Sequence, residues 1–219
     1  MKPLIKPKST LPLHMDSLFS SGKLSRYHDK QTIYSQGTLA NTLFYIQEGG
    51  VRLTTKLNRR PAAVTAILGA GDFFGELCLA GFPRRMSTAV AFTDSSILAV
   101  PRETMARMLL QKNKISNYFL SYLLSSTKKY RDHVAEILSL SAEQRLARVL
   151  LRLADLDGSG SPIAQLPILN QGDLALIVGT TRMRVNSFMT GFRERGFISY
   201  NGRGRIEVHK SLKRVLWPR

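Results

Sequence analysis

The sequence is poor in the residues that build covalent or metal-bound sites. It has one cysteine, Cys78, and four histidines without metal-ligand spacing among 219 residues. A disulfide framework, a cysteine-based zinc site and an iron–sulfur cluster within one chain are therefore excluded, and no certain cofactor is predicted. We expect Cys78 to be a small buried apolar residue. No nucleophile–base pair or carboxylate pair stands out, so no enzymatic activity is predicted.

Long apolar runs are also missing. No uninterrupted apolar stretch approaches the roughly 20 residues that span a bilayer. The basic N-terminus is interrupted by Pro3, Pro7 and Pro12 and lacks the apolar run and cleavage site of a secretory signal. We therefore expect a cytoplasmic protein with no membrane partner, in which residues 1–20 form a mobile basic tail.

Acidic residues are scarce relative to basic ones. The chain has 32 Lys and Arg against 15 Asp and Glu, a net charge of +17. Such a charge favours a polyanionic partner, either nucleic acid or an anionic membrane surface, over a merely soluble surface. The 46 residues from Leu174 onward hold ten basic and two acidic residues, about half of the excess. The polyanion is therefore expected to bind near the C-terminus.

Residues 21–110 have the pattern of an antiparallel β-structure. Short apolar segments recur at intervals of about ten residues and are separated by glycine-rich turns, which is typical of a sandwich or barrel. The segments that carry this pattern are 31–34, 43–46, 51–54, 63–68 and 96–100.

Residues 111–138 change to a helical period with a coiled-coil-like seam. Residues of this seam recur at alternating spacings of three and four. The predicted seam consists of Ile115, Phe119, Tyr122, Leu123, Ser126, Tyr130 and Ile137. The helix, of about 25 residues, is longer than an average globular helix, which favours a dimer seam over packing against the chain's own β-domain alone.

Residues 139–219 are predicted to form a winged helix-turn-helix. Ser141 and Gln144 have the spacing of a capping box at a helix start. The elements that follow are a helix, a glycine turn, a second helix and a β-hairpin: 171–178, Gly179, 181–194, and 198–200 with 205–208.

Arginine and small polar residues cluster where this motif meets DNA. The second helix turns its N-terminal side chains to base edges, and wing residues reach phosphates. The predicted DNA-binding residues are Thr180, Thr181, Arg182, Arg184, Asn186, Ser187, Arg203 and Arg205. The alternatives are a sensor module that acts through protein contacts and a binder of anionic surfaces. Neither of them requires the helix–glycine–helix pattern followed by a hairpin.

A glycine-rich segment in the β-region has the composition of an anion site. Backbone N–H groups of residues 71–77 and the guanidinium of Arg85 are able to hold a phosphate, while Glu76 accepts from a sugar hydroxyl. A turn with a structural ion pair explains the same residues. The candidate effector pocket consists of Gly75, Glu76, Leu77, Arg85, Met86 and Ser87.

From about Thr32 to Leu212 the sequence resembles the cAMP receptor protein/fumarate-nitrate regulator (Crp/Fnr) superfamily of bacterial transcription regulators. The residues that carry the resemblance are Ile33, Gln36-Gly37, Phe44 to Ile46, Gly49, Gly71 to Leu77, Arg85, Arg145 to Ala147, and Ile177 to Arg182. The resemblance implies an α+β fold with an N-terminal antiparallel β-roll of the cyclic-nucleotide-binding type, a long dimerisation helix and a C-terminal winged helix-turn-helix. It also implies a homodimer on a two-fold-symmetric operator in double-stranded DNA, contact with RNA polymerase, and an effector in the β-roll that repositions the DNA-binding domains.

The sequence departs from the cAMP-binding members of this family at the effector pocket. Met86 stands where they have Ser or Thr after the arginine, and Tyr130-Arg131 stands where they have a base-contacting polar pair. A thioether cannot donate a hydrogen bond, and alternation along a strand turns Ser87 to the other face. Two versions of regulation remain open. Either a small nucleotide-like effector fills the pocket, or the pocket is vestigial and the unliganded dimer is competent.

The recognition helix departs from the family pattern as well. The family's Arg-Glu-Thr-Val-x-Arg reads Arg182-Met-Arg-Val-Asn-Ser187 here, so Met183 replaces the cytosine-reading acid and Ser187 replaces the second guanine-reading arginine. The sequence therefore predicts weak recognition of a TGTGA-like half-site. Arg184 and Asn186 are the expected alternative base readers.

Overall fold

Two antiparallel four-stranded sheets form a β-roll in the N-terminal part of the computed structural model. Its strands are β1 Lys23–Tyr27, β2 Thr32–Tyr34, β3 Thr42–Glu48, β4 Gly50–Thr55, β5 Ala63–Gly69, β6 Phe73–Phe74, β7 Thr88–Ala91 and β8 Ser95–Pro101. One sheet has the order β1-β8-β3-β6 and the other β2-β7-β4-β5. The antiparallel β-roll predicted from the sequence is thereby confirmed.

The structure describes residues 16–56, 62–111, 114–156, 163–165, 171–201 and 206–216. Arg203, Arg205 and residues 1–15 of the predicted tail lie outside the described residues. The chain divides into two compact units, Met1–Lys128 and Lys129–Arg219.

Strand β3 contributes side chains to two separate apolar clusters. Phe44 and Ile46 belong to a cluster with Val51 and Phe74, whereas Leu43 and Tyr45 belong to a second cluster. Successive side chains of a strand point to opposite faces, so this sheet is buried on both faces. The uninterrupted apolar run at residues 43–46 is the sequence signature of that two-sided burial.

Helices cover the outer face of the β1-β8-β3-β6 sheet. They are α1 Asp16–Ser21, α2 Arg102–Leu110 and the long helix α3 Lys114–Ser139. Leu18 of α1 is fully buried in the second cluster, so residues 16–20 of the predicted mobile tail are helical and Leu18 packs on the sheet. The predicted mobile tail therefore extended too far. A helix of six residues is too short to show a helical period in the sequence, so the prediction missed it.

The C-terminal unit contains the helix-turn-helix and a small antiparallel sheet. Its elements are α4 Ala142–Leu156, β9 Ile163–Gln165, α5 Gln171–Val178, α6 Arg182–Glu194, β10 Ile198–Tyr200, β11 Ile206–His209 and a 3₁₀ helix, Lys210–Val215. The sheet has the order β10-β11-β9, so the predicted hairpin is present and a third strand, β9, adds to it. The predicted winged helix-turn-helix is confirmed.

Local hydrogen bonds set where α4, α5 and α6 begin and end. The Gln144 N–H donates to Ser141 Oγ (3.2 Å) and the Ser141 N–H to Gln144 Oε1 (3.0 Å), which confirms the predicted capping box. Gly179 follows α5 with φ of 70°, a conformation that favours glycine. Thr181 caps α6 because its hydroxyl accepts from the Arg184 N–H (3.3 Å).

Arg145 joins the ends of two helices in this unit. Its guanidinium donates to the carbonyl groups of Leu140 (2.9 Å) and Val178 (3.0 Å), with a longer contact to Ile137 (3.5 Å). Carbonyl groups at helix C-termini have no partner within their helix. One partly buried cation thus satisfies carbonyl groups at the ends of α3 and α5 and interacts favourably with their dipoles.

Among the described helices, none is both long enough and apolar enough to cross a membrane.

Replacing Arg145 by Met should destabilise the DNA-binding unit, since the carbonyl groups of Leu140 and Val178 lose a charged donor. We expect a loss of about 1.5–3 kcal/mol in the free energy of unfolding. Urea unfolding followed by far-ultraviolet circular dichroism measures it. Arg193→Met, at an exposed position of α6, is the matched control and should unfold like the parent protein. Equal midpoints for both variants would remove Arg145 from this role.

Candidate nucleic-acid interface and effector cassette

Helix α6 has a sharply divided surface. Val185, Met189 and Phe192 are buried at 0%, 2% and 0% exposure and fix the inner face. With about 3.6 residues per turn, Met183 and Ser187 lie on the opposite, outward face, and both are exposed. Thr190 continues this outward face by one more turn. The first turns of α6 therefore present a solvent-facing surface, and a major groove is wide enough to admit an α-helix.

The arginines of α6 lie on the flanks of that outward face. Arg182 and Arg184 are both exposed. The guanidinium carbon of Arg184 lies 5.7 Å from the centroid of the Phe188 ring, a cation–π contact that orders the long side chain along the helix. Thr181 serves as the N-cap, and the Thr180 N–H donates to the Ala175 carbonyl (3.0 Å). Thr180 and Thr181 thus position the helix start.

The side chain of Asn186 is oriented by a neighbour from α5. Gln171 Nε2 donates to Asn186 Oδ1 at 3.0 Å. An asparagine reads adenine with both its amide oxygen and its amide nitrogen. The contact leaves one oxygen lone pair and the two N–H groups of Asn186 for a base, and it makes Gln171 a positioning residue that the sequence analysis missed.

The side chain of Arg195 forms its contacts with residues of its own unit. Its guanidinium forms a salt bridge with Glu143, donates from Nε to the Gly191 carbonyl (3.0 Å), and stacks over the rings of Phe192 and Phe197. The side chain therefore holds the end of α6 against the rest of the unit. The local excess of basic residues counted from the sequence overstates the number of cations available to DNA.

Two residues of the outward face were not among the sequence-predicted DNA contacts. Met183 is 80% exposed, and Thr190 is exposed as well. The signal that identifies them is the position of the buried residues Val185, Met189 and Phe192, from which the opposite face follows by helical spacing. The sequence prediction assigned Val185, Met189 and Phe192 to the core, but it did not derive from them which residues lie on the opposite face of the helix.

The candidate effector pocket, here termed the cassette, consists of Gly75, Glu76, Leu77, Arg85, Met86 and Ser87, and it centres on a buried arginine. Arg85 is 6% exposed, and its Nη1 donates to the Gly75 carbonyl at 3.3 Å. Its guanidinium carbon lies 4.3 Å from the ring centroid of Tyr34 and 5.2 Å from that of Phe44. Among the residues that the structure describes, Arg85 Nε has no hydrogen-bond partner. Two aromatic rings and a carbonyl group thus hold this cation, in place of the ion pair with Glu76 that the sequence left open.

Gly75 is the close-approach position of the cassette. It has a φ of 75°, and a Cβ at this position would lie 2.5 Å from Arg85 Nη1. Only glycine combines this backbone conformation with the space that the guanidinium occupies. The glycine predicted as part of the pocket therefore accommodates the chain's own arginine.

Burial dominates the electrostatics of the cassette. It raises the pKa of the Glu76 carboxyl above its usual range, although the charge of Arg85 opposes the shift. Burial likewise lowers the pKa of Arg85. The Cys78 side chain is fully buried, as expected from the sequence, and burial raises the pKa of its thiol, which disfavours the reactive thiolate.

The remaining cassette residues lie at the surface. Met86 is 53% exposed and Leu77 41% exposed, while Ser87 is partly buried. The structure brings Gly75, Glu76 and Arg85 together. A groove of about 320 Å³ on the β-roll, lined in part by Leu24, Arg26 and Glu48, includes none of the cassette residues. No cluster of three or more metal-ligating side chains occurs within the described part of the chain.

The predicted seam of α3 divides into two groups. Ile115 and Phe119 are buried in the core of their own β-roll at 3% and 4% exposure, and Tyr122 and Leu123 pack against them. The Tyr122 hydroxyl also donates to the Phe73 carbonyl (2.6 Å). These residues therefore stabilise the β-roll itself.

The other seam residues and several further apolar side chains of α3 are partly or largely exposed. Ser126 is partly exposed, and Tyr130 and Ile137 are 48% and 50% exposed. Further large apolar side chains of α3 are exposed as well, namely Leu120, Leu124, Val134 and Leu138, with exposures of 57%, 65%, 56% and 81%.

These features define a class of protein: a regulator with a β-roll of the cyclic-nucleotide-binding type and a winged helix-turn-helix. Residues 24–112 match the cyclic nucleotide-binding domain family, and residues 144–213 match the Crp-like helix-turn-helix domain family. The chain belongs to the Crp/Fnr superfamily of bacterial transcription regulators, as its sequence resemblance indicated.

Characterised relatives span most of the chain. The cyclic AMP receptor protein of Thermus thermophilus is 29% identical over 201 residues, 91% of this chain and 90% of that protein. The CRP-like cAMP-activated global transcriptional regulator of Mycobacterium tuberculosis is 25% identical over 174 residues, 78% of either chain. A CRP-family transcriptional regulator of solved structure from Thermus thermophilus superposes with a TM-score of 0.74 at 24% identity, covering 88% of this chain and 96% of that chain. This structural likeness supports the fold.

Proposed function

We propose that this transcription regulator acts as a homodimer that recognises a two-fold-symmetric operator in double-stranded DNA. The observation that carries the proposal is helix α6, capped at Thr181, whose outward face is exposed while Val185, Met189 and Phe192 anchor its inner face. Such a helix presents its N-terminal residues to base edges in the major groove. We also propose that the protein is cytoplasmic and that the DNA-bound dimer contacts RNA polymerase.

Base reading and phosphate binding fall to different residues. Arg184, Asn186 and Ser187 lie on or beside the outward face of α6 and are proposed to contact bases, together with Arg182. The wing arginines Arg203 and Arg205, whose roles rest on the sequence, are proposed to bind phosphates.

The proposed dimer uses the uncovered side of α3. Leu120, Leu124, Val134 and Leu138 follow d and a positions of a heptad, with Thr127 and Arg131 at the intervening positions. A second copy of the chain offers the same spacing, so the contact is self-complementary about a two-fold axis. Of the seam predicted from the sequence, Tyr130 and Ile137 are about half exposed and are proposed to flank this contact.

We further propose that the cassette is closed and that the unliganded protein binds its operator. Relatives named for cAMP have an effector, but here the guanidinium of Arg85 already stacks on Tyr34 and bonds to the Gly75 carbonyl. Met86 offers no hydrogen-bond donor to a phosphate. Of the two versions of regulation, this packing favours the vestigial pocket.

Replacing Arg184 by Ala should relax sequence preference, because a bidentate base contact is lost. On the operator obtained by selection from a random duplex pool, the expected cost is about 1–3 kcal/mol, with little change on unrelated duplexes. Arg203→Ala should instead weaken binding to all duplexes alike and reduce its salt dependence. Gel-shift titrations at two salt concentrations measure both effects. No retention of any duplex at low salt would falsify the DNA-binding proposal.

Replacing Leu124 by Glu should dissociate the dimer, since it places a charge within the proposed helix contact. We expect self-association to weaken at least about a hundredfold, as for burial of an unpaired charge. Sedimentation equilibrium of the full chain gives the dissociation constant. Leu110→Glu, at a position of α2 that is 81% exposed, is the matched control and should remain dimeric. A dimeric Leu124→Glu protein would move the interface elsewhere.

Adding cAMP or cGMP should not change the protein's affinity for its operator, because the rings of Tyr34 and Phe44 and the Gly75 carbonyl already hold Arg85. Isothermal calorimetry is expected to show no heat of binding at micromolar concentrations, and operator affinity should be equal with and without nucleotide. A micromolar binding signal accompanied by tighter operator binding would overturn the closed cassette.

A further inference from the structure

One large apolar side chain lies in the middle of the proposed DNA-contacting face. Met183 is 80% exposed on the first turn of α6. In the described residues from 140 onward, the next most exposed large apolar side chains are Tyr200 at 45% and Leu176 at 40%. Met183 therefore stands out as an apolar group that its own domain leaves in solvent.

The position of Met183 on the helix is central. Counting about 3.6 residues per turn, Met183 lies opposite the inner face formed by Val185, Met189 and Phe192. Ser187 and Thr190 follow it on the same face at spacings of four and seven residues, and both have short side chains. Met183 is therefore the longest side chain on the midline of the outward face, with Arg182 and Arg184 on its flanks.

The chemistry of the thioether limits what Met183 is able to recognise. It donates no hydrogen bond and accepts only weakly, so it has no good partner among the polar edges of guanine, cytosine or adenine, or among phosphates. The single apolar group on the floor of the major groove is the C5-methyl of thymine. A flexible methionine side chain adapts readily to such a contact.

We propose that Met183 is a specificity-determining residue that reads one thymine in each half-site by packing on its C5-methyl group. The inference rests on the proposed function, because it requires α6 to enter the major groove with its N-terminal turn. It adds an apolar readout to the hydrogen-bonding readout of Arg184 and Asn186. It also gives a physical reason for a half-site that differs from the one read by an acidic side chain at this position.

Uracil isolates the proposed contact, since it pairs like thymine and lacks only the methyl group. The full chain is first used to select its operator from random duplexes, and each thymine of the half-site is then replaced by deoxyuridine in turn. At one position we expect affinity to fall about fourfold for one half-site, the value for one buried methyl group, and about 15-fold when both half-sites are changed.

Substitutions at Met183 complete a double-mutant cycle. Met183→Ala should bind the thymine operator more weakly and should lose the sensitivity to deoxyuridine at that position. Met183→Leu keeps an apolar side chain and should retain the sensitivity. Thr190→Ala, about two turns further along the same face and outside the proposed base contacts, is the matched control and should also retain it. Met183→Glu should shift the preference at this base pair from thymine to cytosine, because the cytosine amino group donates a hydrogen bond to a carboxylate.

The proposal is overturned if deoxyuridine weakens binding at no position of the half-site, or if Met183→Ala is as sensitive as the parent protein at every position. The first result would leave Met183 free for contact with another protein. Both results presuppose that an operator is selected and bound. Failure to select or retain any duplex would instead count against the DNA-binding function itself, so the two failures are distinguishable.

Discussion

The apolar surface of helix α3 is wider than one β-roll covers, and the organisation of the protein depends on this constraint. One side of the helix packs under Phe73 through Ile115 and Phe119, and the hydroxyl of Tyr122 fixes it to the strand. Leu120 and Leu124 remain on the uncovered side. Each square ångström of apolar surface removed from water contributes roughly 25 cal/mol, so a second helix on this side is strongly favoured. The proposed homodimer would bury this side of α3, and its two-fold symmetry matches the two half-sites of the proposed operator.

The arginines of the C-terminal unit fall into two groups: some form contacts within the unit, and others remain exposed on helix α6. Arg145 satisfies carbonyl groups at the ends of α3 and α5, and Arg195 joins α6 to Glu143. These cations give the recognition helix a fixed support, whereas the exposed Arg182 and Arg184 remain on its flanks. A rigid support matters because a base contact requires placement of the side chain to a fraction of an ångström, which a loosely held helix does not provide. Net charge therefore favoured a polyanionic partner but did not separate the exposed arginines from those engaged within the unit.

Much of the fold was predictable because its signals are local. The capping box at Ser141, the turn at Gly179 and the length of α3 each follow from neighbouring residues, and all agree with the structure. The division of α3 into a covered and an uncovered side was not predictable, since it depends on which stripe meets the β-roll through long-range packing. The contact between Gln171 and Asn186 was not predictable either, because two polar residues on successive helices leave no pattern in a single sequence.

The cassette illustrates why a matched motif does not fix a ligand. A buried guanidinium requires compensation, and a phosphate is one source of it. Tyr34 and Phe44 come from strands far from Arg85 in the sequence, yet together with the Gly75 carbonyl they supply a second source. The compensation is incomplete, because Arg85 Nε finds no partner in the described part of the chain, and a buried unsatisfied donor costs about 1–3 kcal/mol. The rings of Tyr34 and Phe44 and the Gly75 carbonyl already contact the guanidinium, so the proposed departure from cyclic-nucleotide chemistry rests on the packing around the arginine as well as on Met86.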